Sequence, residues 1–319
     1  MSEPSPPAEG GPSTFADGVR LAIGTLSVFP VRPGVVDRRA GGIAMAVAPL
    51  VGAVIGAVGG LVLAISLWLG TTPLPASVLA VAIVALLTRG LHLDGLADLA
   101  DGLGSGKPAE RALEIMKRSD IGPFGVVTLV LVLLVQVAAL QEAVTHAGAG
   151  AGAITLVAAC AAGRLALTWA CRAGIPPARP DGLGAMVAGT VRRSVAVAVT
   201  VPVLAGTAAL AYLHGIGVFD LWSSESSGGW GYMAYVDTTR SEAGDFLGAG
   251  TPGVGLMSGL GPFLAPFGLP LAMLVGLLAA WAVRRRAVRR LGGVTGDVLG
   301  ALVEITTATT LLACTILVN

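Results

Sequence analysis

Long apolar runs separated by short polar stretches set the pattern of this chain. A helix that crosses a bilayer needs about 20 mostly apolar residues. Seven stretches approach or exceed that length: Ile43–Leu69, Ser77–Leu91, Phe124–Val144, Ala149–Cys171, Val195–Leu213, Val254–Val283 and Val298–Val318. The second is short unless it continues through Leu96. Phe15–Phe29 is apolar but brief, and reads as a segment that lies along the interface or packs on the bundle. The fold class this predicts is all-α: a polytopic membrane helix bundle with about seven transmembrane helices. Residues 1–14, rich in Pro, Ser, Glu and Gly, read as a disordered tail. They lack the basic stretch before an apolar core that marks a secretory signal. The membrane domain then occupies 15–319, with a polar, Gly/Ser-rich outer insertion at about 214–253.

Composition supports the bilayer. Charged residues make up 12% of the chain and hydrophobic ones 54%, whereas a soluble domain carries about 25% charged residues. A net charge of +1 suggests no nucleic-acid partner. Cys160, Cys171 and Cys314 lie in or at the ends of apolar runs without metal spacing, and read as small core residues.

Lys and Arg give the orientation, since they concentrate on cytoplasmic loops. They crowd the stretch before the first span (Arg20, Arg32, Arg38, Arg39), the second connection (Arg89, Lys107, Arg111, Lys117, Arg118), the fourth (Arg172, Arg179, Arg192, Arg193) and the sixth (Arg284, Arg285, Arg286, Arg289, Arg290). The other side has Arg240 alone, in a loop that also holds Asp220, Glu225, Asp237, Glu242 and Asp245. The N-terminus is expected in the cytoplasm and the C-terminus outside.

The unusual polar residues fall at that same inner face. In HLDGLADLADGL, Asp94, Asp98 and Asp101 stand at i, i+4 and i+7, on one side of a helix. Three carboxylates in a stripe repel one another unless a cation sits among them, and Mg²⁺ takes a few carboxylates together with substrate phosphates. Asp94 and Asp101 are about 10 Å apart along a helix axis, too far for one ion. Either two metals bind, or Asp101 does something else, such as accepting a proton. The plainer alternative is a solvated acidic loop, but the other faces of this stretch are apolar. His92 reads as a base, a ligand or a structural histidine.

A second constellation, GGVTGDVLGALVEI, opens the last span. Gly292, Gly293 and Gly296 allow close backbone approach to a ligand, and the helix N-terminus offers free N–H groups to phosphate. Asp297 is a metal or phosphate-site candidate, or simply a helix cap. Glu304, two turns into the span, is a candidate substrate contact. A third piece is Arg164 inside the fourth span, with ARPDGLG after it. Arg164 calls for an anionic partner, and Arg179 is either an anion clamp or a topology charge. Glu110, Glu114 and Arg118 are spaced for i,i+4 ion pairs. Acid for metal, Arg for anion and Gly for close approach together suit a phosphate-bearing substrate.

In this order, HLDGLADLADGL, ERALEIMKRSDIGPFG, ARPDGLG and GGVTGDVLGALVE resemble the cobalamin synthase family, the adenosylcobinamide-GDP ribazoletransferases, over roughly Phe15–Val318. The resemblance also takes in PLVGAVIGAVGG. It implies a Mg²⁺-dependent enzyme of the cytoplasmic (inner) membrane, with its site facing the cytoplasm. That enzyme performs the last step of adenosylcobalamin (vitamin B12) biosynthesis. α-Ribazole or its 5′-phosphate attacks the diphosphate of adenosylcobinamide-GDP, a carboxylate helps deprotonate the 5′-hydroxyl, and GMP leaves as adenosylcobalamin or its 5′-phosphate forms. Asp94, Asp98 and Asp101 are then expected at Mg²⁺-diphosphate, Asp101 doubling as base. Asp297 completes the metal site from another helix, and Glu304, Arg164, Arg179 and His92 contact substrate. One departure stands out: Met116-Lys117-Arg118-Ser119-Asp120 exchanges acid and base relative to many members. An oligomer is left open.

Two rivals share some features. A CDP-alcohol-type phosphotransferase acting on a lipid has a related aspartate spacing, though its fuller motif is missing here. A secondary transporter also uses intramembrane acids and arginines, but places them near the midplane of repeated halves, and no repeat is visible.

Overall fold

The computed structural model describes residues 12–215, apart from 33 and 119, and residues 261–318. The expected tail and the outer insertion lie almost wholly outside these residues. The described elements are α1 (Phe15–Leu26), α2 (Arg38–Trp68), α3 (Pro73–Leu87), α4 (Leu91–Gly104), α5 (Ala109–Ile115), α6 (Pro123–Ala170), α7 (Gly182–Val187), α8 (Arg193–Gly215), α9 (Gly261–Leu291) and α10 (Gly296–Leu317). Among the described residues there is no strand, only isolated bridges between Arg172 and Val191 and between Pro177 and Val294. The all-α polytopic bundle is therefore the observed class. Five described helices are long and apolar enough to cross a membrane, or six if the bent pair α3 and α4 counts as one.

α6 is one continuous helix by its hydrogen bonds, but Gly148 breaks it with φ 80° and ψ −178°. At 1.5 Å per residue its 48 residues would reach about 70 Å, twice a bilayer core. The chain folds back instead: Ala139 of the first arm and Ala159 of the second share a buried cluster with Leu311 of α10. The two arms correspond to the apolar runs Phe124–Val144 and Ala149–Cys171.

Small residues let these helices approach where lipid offers no hydrophobic drive for association. A Cβ on Gly52 would lie 2.4 Å from the Cys160 carbonyl oxygen, and one on Gly56 would lie 2.7 Å from Val157 Cα. The glycine stripe of α2 thus meets the second arm of α6 backbone to backbone. α10 occupies the centre, packed on α6, α9 and α4. α8 stands at the edge, with Val197 and Val201 exposed to the lipid side.

Two boundaries differ from expectation. The second apolar run stops at Leu87, and α4 turns away by 88° through Arg89 and Gly90, both at positive φ. α9 also runs past Val283 to Leu291, so Arg284, Arg285, Arg286, Arg289 and Arg290 belong to its last turns rather than to a loop. Arg propagates a helix well, and its long stem lets the charge reach water from the end of a span. α1 packs along α2, where a Cβ on Gly18 would meet the Ile43 side chain at 2.4 Å.

Candidate active site

α4 lies across the ends of the bundle rather than through it. Its Gly95 packs on the first turn of α10, where an added Cβ would be 2.8 Å from the Asp297 carbonyl oxygen. Gly300 meets the His92 backbone in the same crossing. One turn of α4 is thereby laid against one turn of α10, and Asp94 and Asp98 come beside Asp297. The far end of α4 reaches α6: the Asp101 carboxylate accepts from Gly122 N–H at 2.7 Å and from Gly125 N–H at 3.0 Å.

The segment Pro176–Gly184 is pinned to the α9–α10 connection. Val294 N–H donates to the Pro176 carbonyl at 3.0 Å, and Ala178 N–H donates to the Val294 carbonyl at 3.0 Å. Gly293 makes this possible, because a Cβ there would strike the Pro177 carbonyl carbon at 2.4 Å. The pinning brings Arg179 to Asp297, with Nη1 3.9 Å from Oδ2, while its Nη2 donates to the Leu113 carbonyl at 2.5 Å. Thr295 caps α10, its hydroxyl accepting from Val298 N–H at 3.2 Å.

These segments enclose a cavity of about 300 Å³ lined by His92, Asp94, Arg179, Asp181, Thr295 and Asp297 among others. Gly296, with nothing nearer than 3.7 Å to an added Cβ, leaves the α10 N-terminus open toward it. The cavity offers carboxylates, a guanidinium and a helix N-terminus on facing walls, a set suited to an anion bridged to a cation. Asp98 sits half-buried just outside the lining. It lies among the carboxylates of Asp94, Asp297 and Asp101, with Arg179 the nearby positive charge. Negative charge is thus in excess here.

Among the described residues no three His, Cys, Asp or Glu side chains converge closely enough to enclose a metal by themselves. The donor chemistry still fits Mg²⁺, which binds through one or two carboxylates and completes its shell with water and phosphate oxygens.

His92, Asp94, Arg179 and Asp297 were read from the sequence as site residues, and the structure brings them together. Asp101 stands apart, with each oxygen already accepting a backbone N–H at the start of α6. In this structure it anchors the start of α6, and it does not line the cavity. Arg164 and Glu304 are also off the cavity. Arg164, 1% exposed, lies behind His92, its Nη2 3.4 Å from His92 Nδ1. Glu304 accepts from Gln136 Nε2 at 2.8 Å inside the bundle. Both serve buried polar contacts between helices, since in lipid an unpaired polar group finds no water. An arginine has no acceptor, so Nδ1 of His92 must be the accepting nitrogen and Nε2 carries the proton.

Sequence reasoning missed Gln136, although a lone Gln in an apolar span was a visible signal. It also missed Thr295 and Asp181 in the lining. The glycines were noticed, but Gly293 admits protein backbone, not a ligand. Glu114 pairs with Arg111 instead of Arg118. Among the described residues Arg118 and Asp120 form no ion pair, both being exposed, and Lys117 approaches Asp181 at 4.0 Å.

The model of the cobalamin-5-phosphate synthase family matches residues 18–315. The chain belongs to that family. An adenosylcobinamide-GDP ribazoletransferase of Frankia casuarinae is 41% identical over 92% of this chain and 92% of its own length. One from Nocardioides sp. is 35% identical over 93% and 97%, and one from Corynebacterium efficiens is 32% identical over 97% and 94%. No solved structure matches the chain. The family match covers both walls of the cavity and the glycine stripe of α2.

Proposed function

We propose that this chain is an adenosylcobinamide-GDP ribazoletransferase, acting at the cytoplasmic face of the inner membrane and completing the nucleotide loop of cobalamin. The observation that carries the reading is the meeting of Asp94, Asp297 and Arg179 in one cavity at the mouth of α10, in a chain that belongs to this family.

A ribose hydroxyl of α-ribazole, or of its phosphate, attacks the phosphorus that bears the cobinamide. The bond from that phosphorus to the bridging oxygen breaks, and GMP leaves with the bridging oxygen and its electron pair. The hydroxyl proton passes to a nearby base or water. The family description names a cobalamin 5-phosphate. With the 5′-oxygen already phosphorylated, another ribose hydroxyl must attack, which revises the expected 5′-hydroxyl. Asp94 and Asp297 would hold Mg²⁺, with Asp98 supplying nearby negative charge; when bound, the ion supplies charge neutralisation at the diphosphate. Arg179 and the open N–H groups of α10 bind phosphoryl oxygens, and Arg179 is steadied by the Leu113 carbonyl. His92 lines the same cavity, its ring held by Arg164.

The test is GMP release and corrinoid formation by the purified full chain in proteoliposomes. It is given adenosylcobinamide-GDP with α-ribazole or its phosphate, with and without Mg²⁺. Mg²⁺-dependent release of GMP matched by new corrinoid supports the reading. Turnover of CDP-diacylglycerol instead, or solute uptake without GMP release, would replace it.

A further inference from the structure

A second cavity, of about 420 Å³, shares no lining residue with the first. It lies between the second arm of α6, α8 and α9, and its wall includes Trp169, Arg172, Leu274, Leu278, Trp281 and Arg284. The two arginines stand at one end. Leu274 is ten residues before Arg284 on α9, so the apolar part extends about 15 Å from the charges along the helix axis. Leu274 and Trp281 are each 45% exposed and Leu278 is 63% exposed, so this wall opens to the lipid. Trp169 closes the inner side, held by its Nε1–H donating to Thr200 Oγ1 at 3.0 Å.

The arginines are the unexplained feature. Arg284 is 7% exposed, and Arg172 acts on it as a like charge. Among the described residues neither has a carboxylate within ion-pair distance, and the hydrogen bond recorded for the Arg284 guanidinium goes to the Trp169 carbonyl at 3.3 Å. Two guanidinium groups lining one cavity, one of them buried, call for an anion to offset their charge. A lipid-facing slot with charge at one end and apolar walls beyond has the polarity of a phospholipid. We propose that this cavity holds an anionic glycerophospholipid, its phosphate between Arg172 and Arg284 and one acyl chain along Leu274, Leu278 and Trp281.

The full-length protein, purified in neutral detergent, is offered phosphatidylglycerol and phosphatidylcholine at equal concentration, and retained lipid is read by native mass spectrometry. Brominated phosphatidylglycerol reports occupancy through quenching of tryptophan fluorescence. Phosphatidylglycerol is expected to be retained about tenfold over phosphatidylcholine. Arg172→Gln, alone and with Arg284→Gln, should remove most of that preference. The double variant Arg286→Gln/Arg289→Gln, which removes exposed charges of the same helix that do not line the cavity, should keep it. Equal retention of the two lipids by the wild-type chain overturns the proposal whether or not the double variant folds. So does an unchanged preference in Arg172→Gln. Displacement of the lipid by glycerol 3-phosphate at matched concentration overturns it too, since the phosphate would then suffice without the chain.

Discussion

Helices α8 and α10 are nearly matched in length, at 23 and 22 residues, yet they occupy opposite environments. The most apolar window of α8 has a mean hydropathy of 2.0 and is 11% buried, whereas that of α10 has 1.6 and is 72% buried. In water the more apolar helix would take the centre. In a bilayer the tails are as apolar as leucine, so hydrophobicity does not draw a helix inward. Polar and small residues do, because they gain partners or close contact inside protein. α10 carries Asp297, Glu304 and buried Thr306, Thr307 and Thr310. The hydroxyls of Thr306 and Thr307 donate back to the Leu302 and Val303 carbonyls at 2.6 and 2.8 Å. α8 buries Ala196 and Thr207 alone.

The sharpest way to break this contrast is at the chemistry α10 shares with α4. Asp94→Asn should lower kcat/KM by about 100-fold or more, as loss of a charge that stabilises the transition state does, while the protein keeps its melting temperature. Retained activity would show that the cavity beside α10 is not where GMP is released. Next comes packing. Gly95→Leu should force α4 off Asp297 and destabilise the bundle by on the order of 3 kcal/mol, seen as lost folded yield in detergent. Gly206→Ala in α8, where nothing lies within 4 Å of an added Cβ, should change stability by less than about 1 kcal/mol. Equal effects at the two glycines would erase the distinction between core and edge helix.

A smaller effect is expected from Gln136→Leu. It leaves Glu304 without its recorded donor and should cost about 1–3 kcal/mol; Gln136→Glu should cost more, since it sets two acids together. The smallest effect lies at Asp37, which caps α2 by accepting from Ala40 N–H at 2.7 Å and from Ser13 Oγ at 2.6 Å. These hydrogen bonds hold its carboxyl below its ordinary value of 3.8. Its contribution is therefore complete above that value and is lost as pH falls through the lower folded-state pKa. Asp37→Asn should lower the melting temperature at pH 7 by only a few degrees, with the difference vanishing in strong acid.

Much of the fold was legible. The apolar runs located the helices because a bilayer demands length and forbids unpaired backbone. The two arms of α6 were legible as separate apolar runs, Phe124–Val144 and Ala149–Cys171. Four of the residues singled out, His92, Asp94, Arg179 and Asp297, carry unusual polarity in apolar surroundings and line one cavity. Asp101 was conspicuous in the same way, but a carboxylate that caps a neighbouring helix has the same sequence signature as one that binds a metal. Arg164 and Glu304 lie off the cavity and are conspicuous for a related reason. Burial makes a polar residue conspicuous without saying whether its partner is a substrate or another helix. The run Arg284–Arg290 reads as a loop by charge, yet it is helical because arginine stems can reach water from a span's end.

By itself the sequence determined that the chain is an all-α membrane bundle and to which family it belongs. These follow from composition, run length and motif, which are local or additive properties. The tertiary structure alone decided which helix is central, which acids face the cavity and which are spent on holding helices together. Those outcomes depend on backbone approaches between residues far apart in the chain, such as Gly95 on Asp297 and Gly293 on Pro177. In lipid, close packing and hydrogen bonding rather than hydrophobicity choose the neighbours.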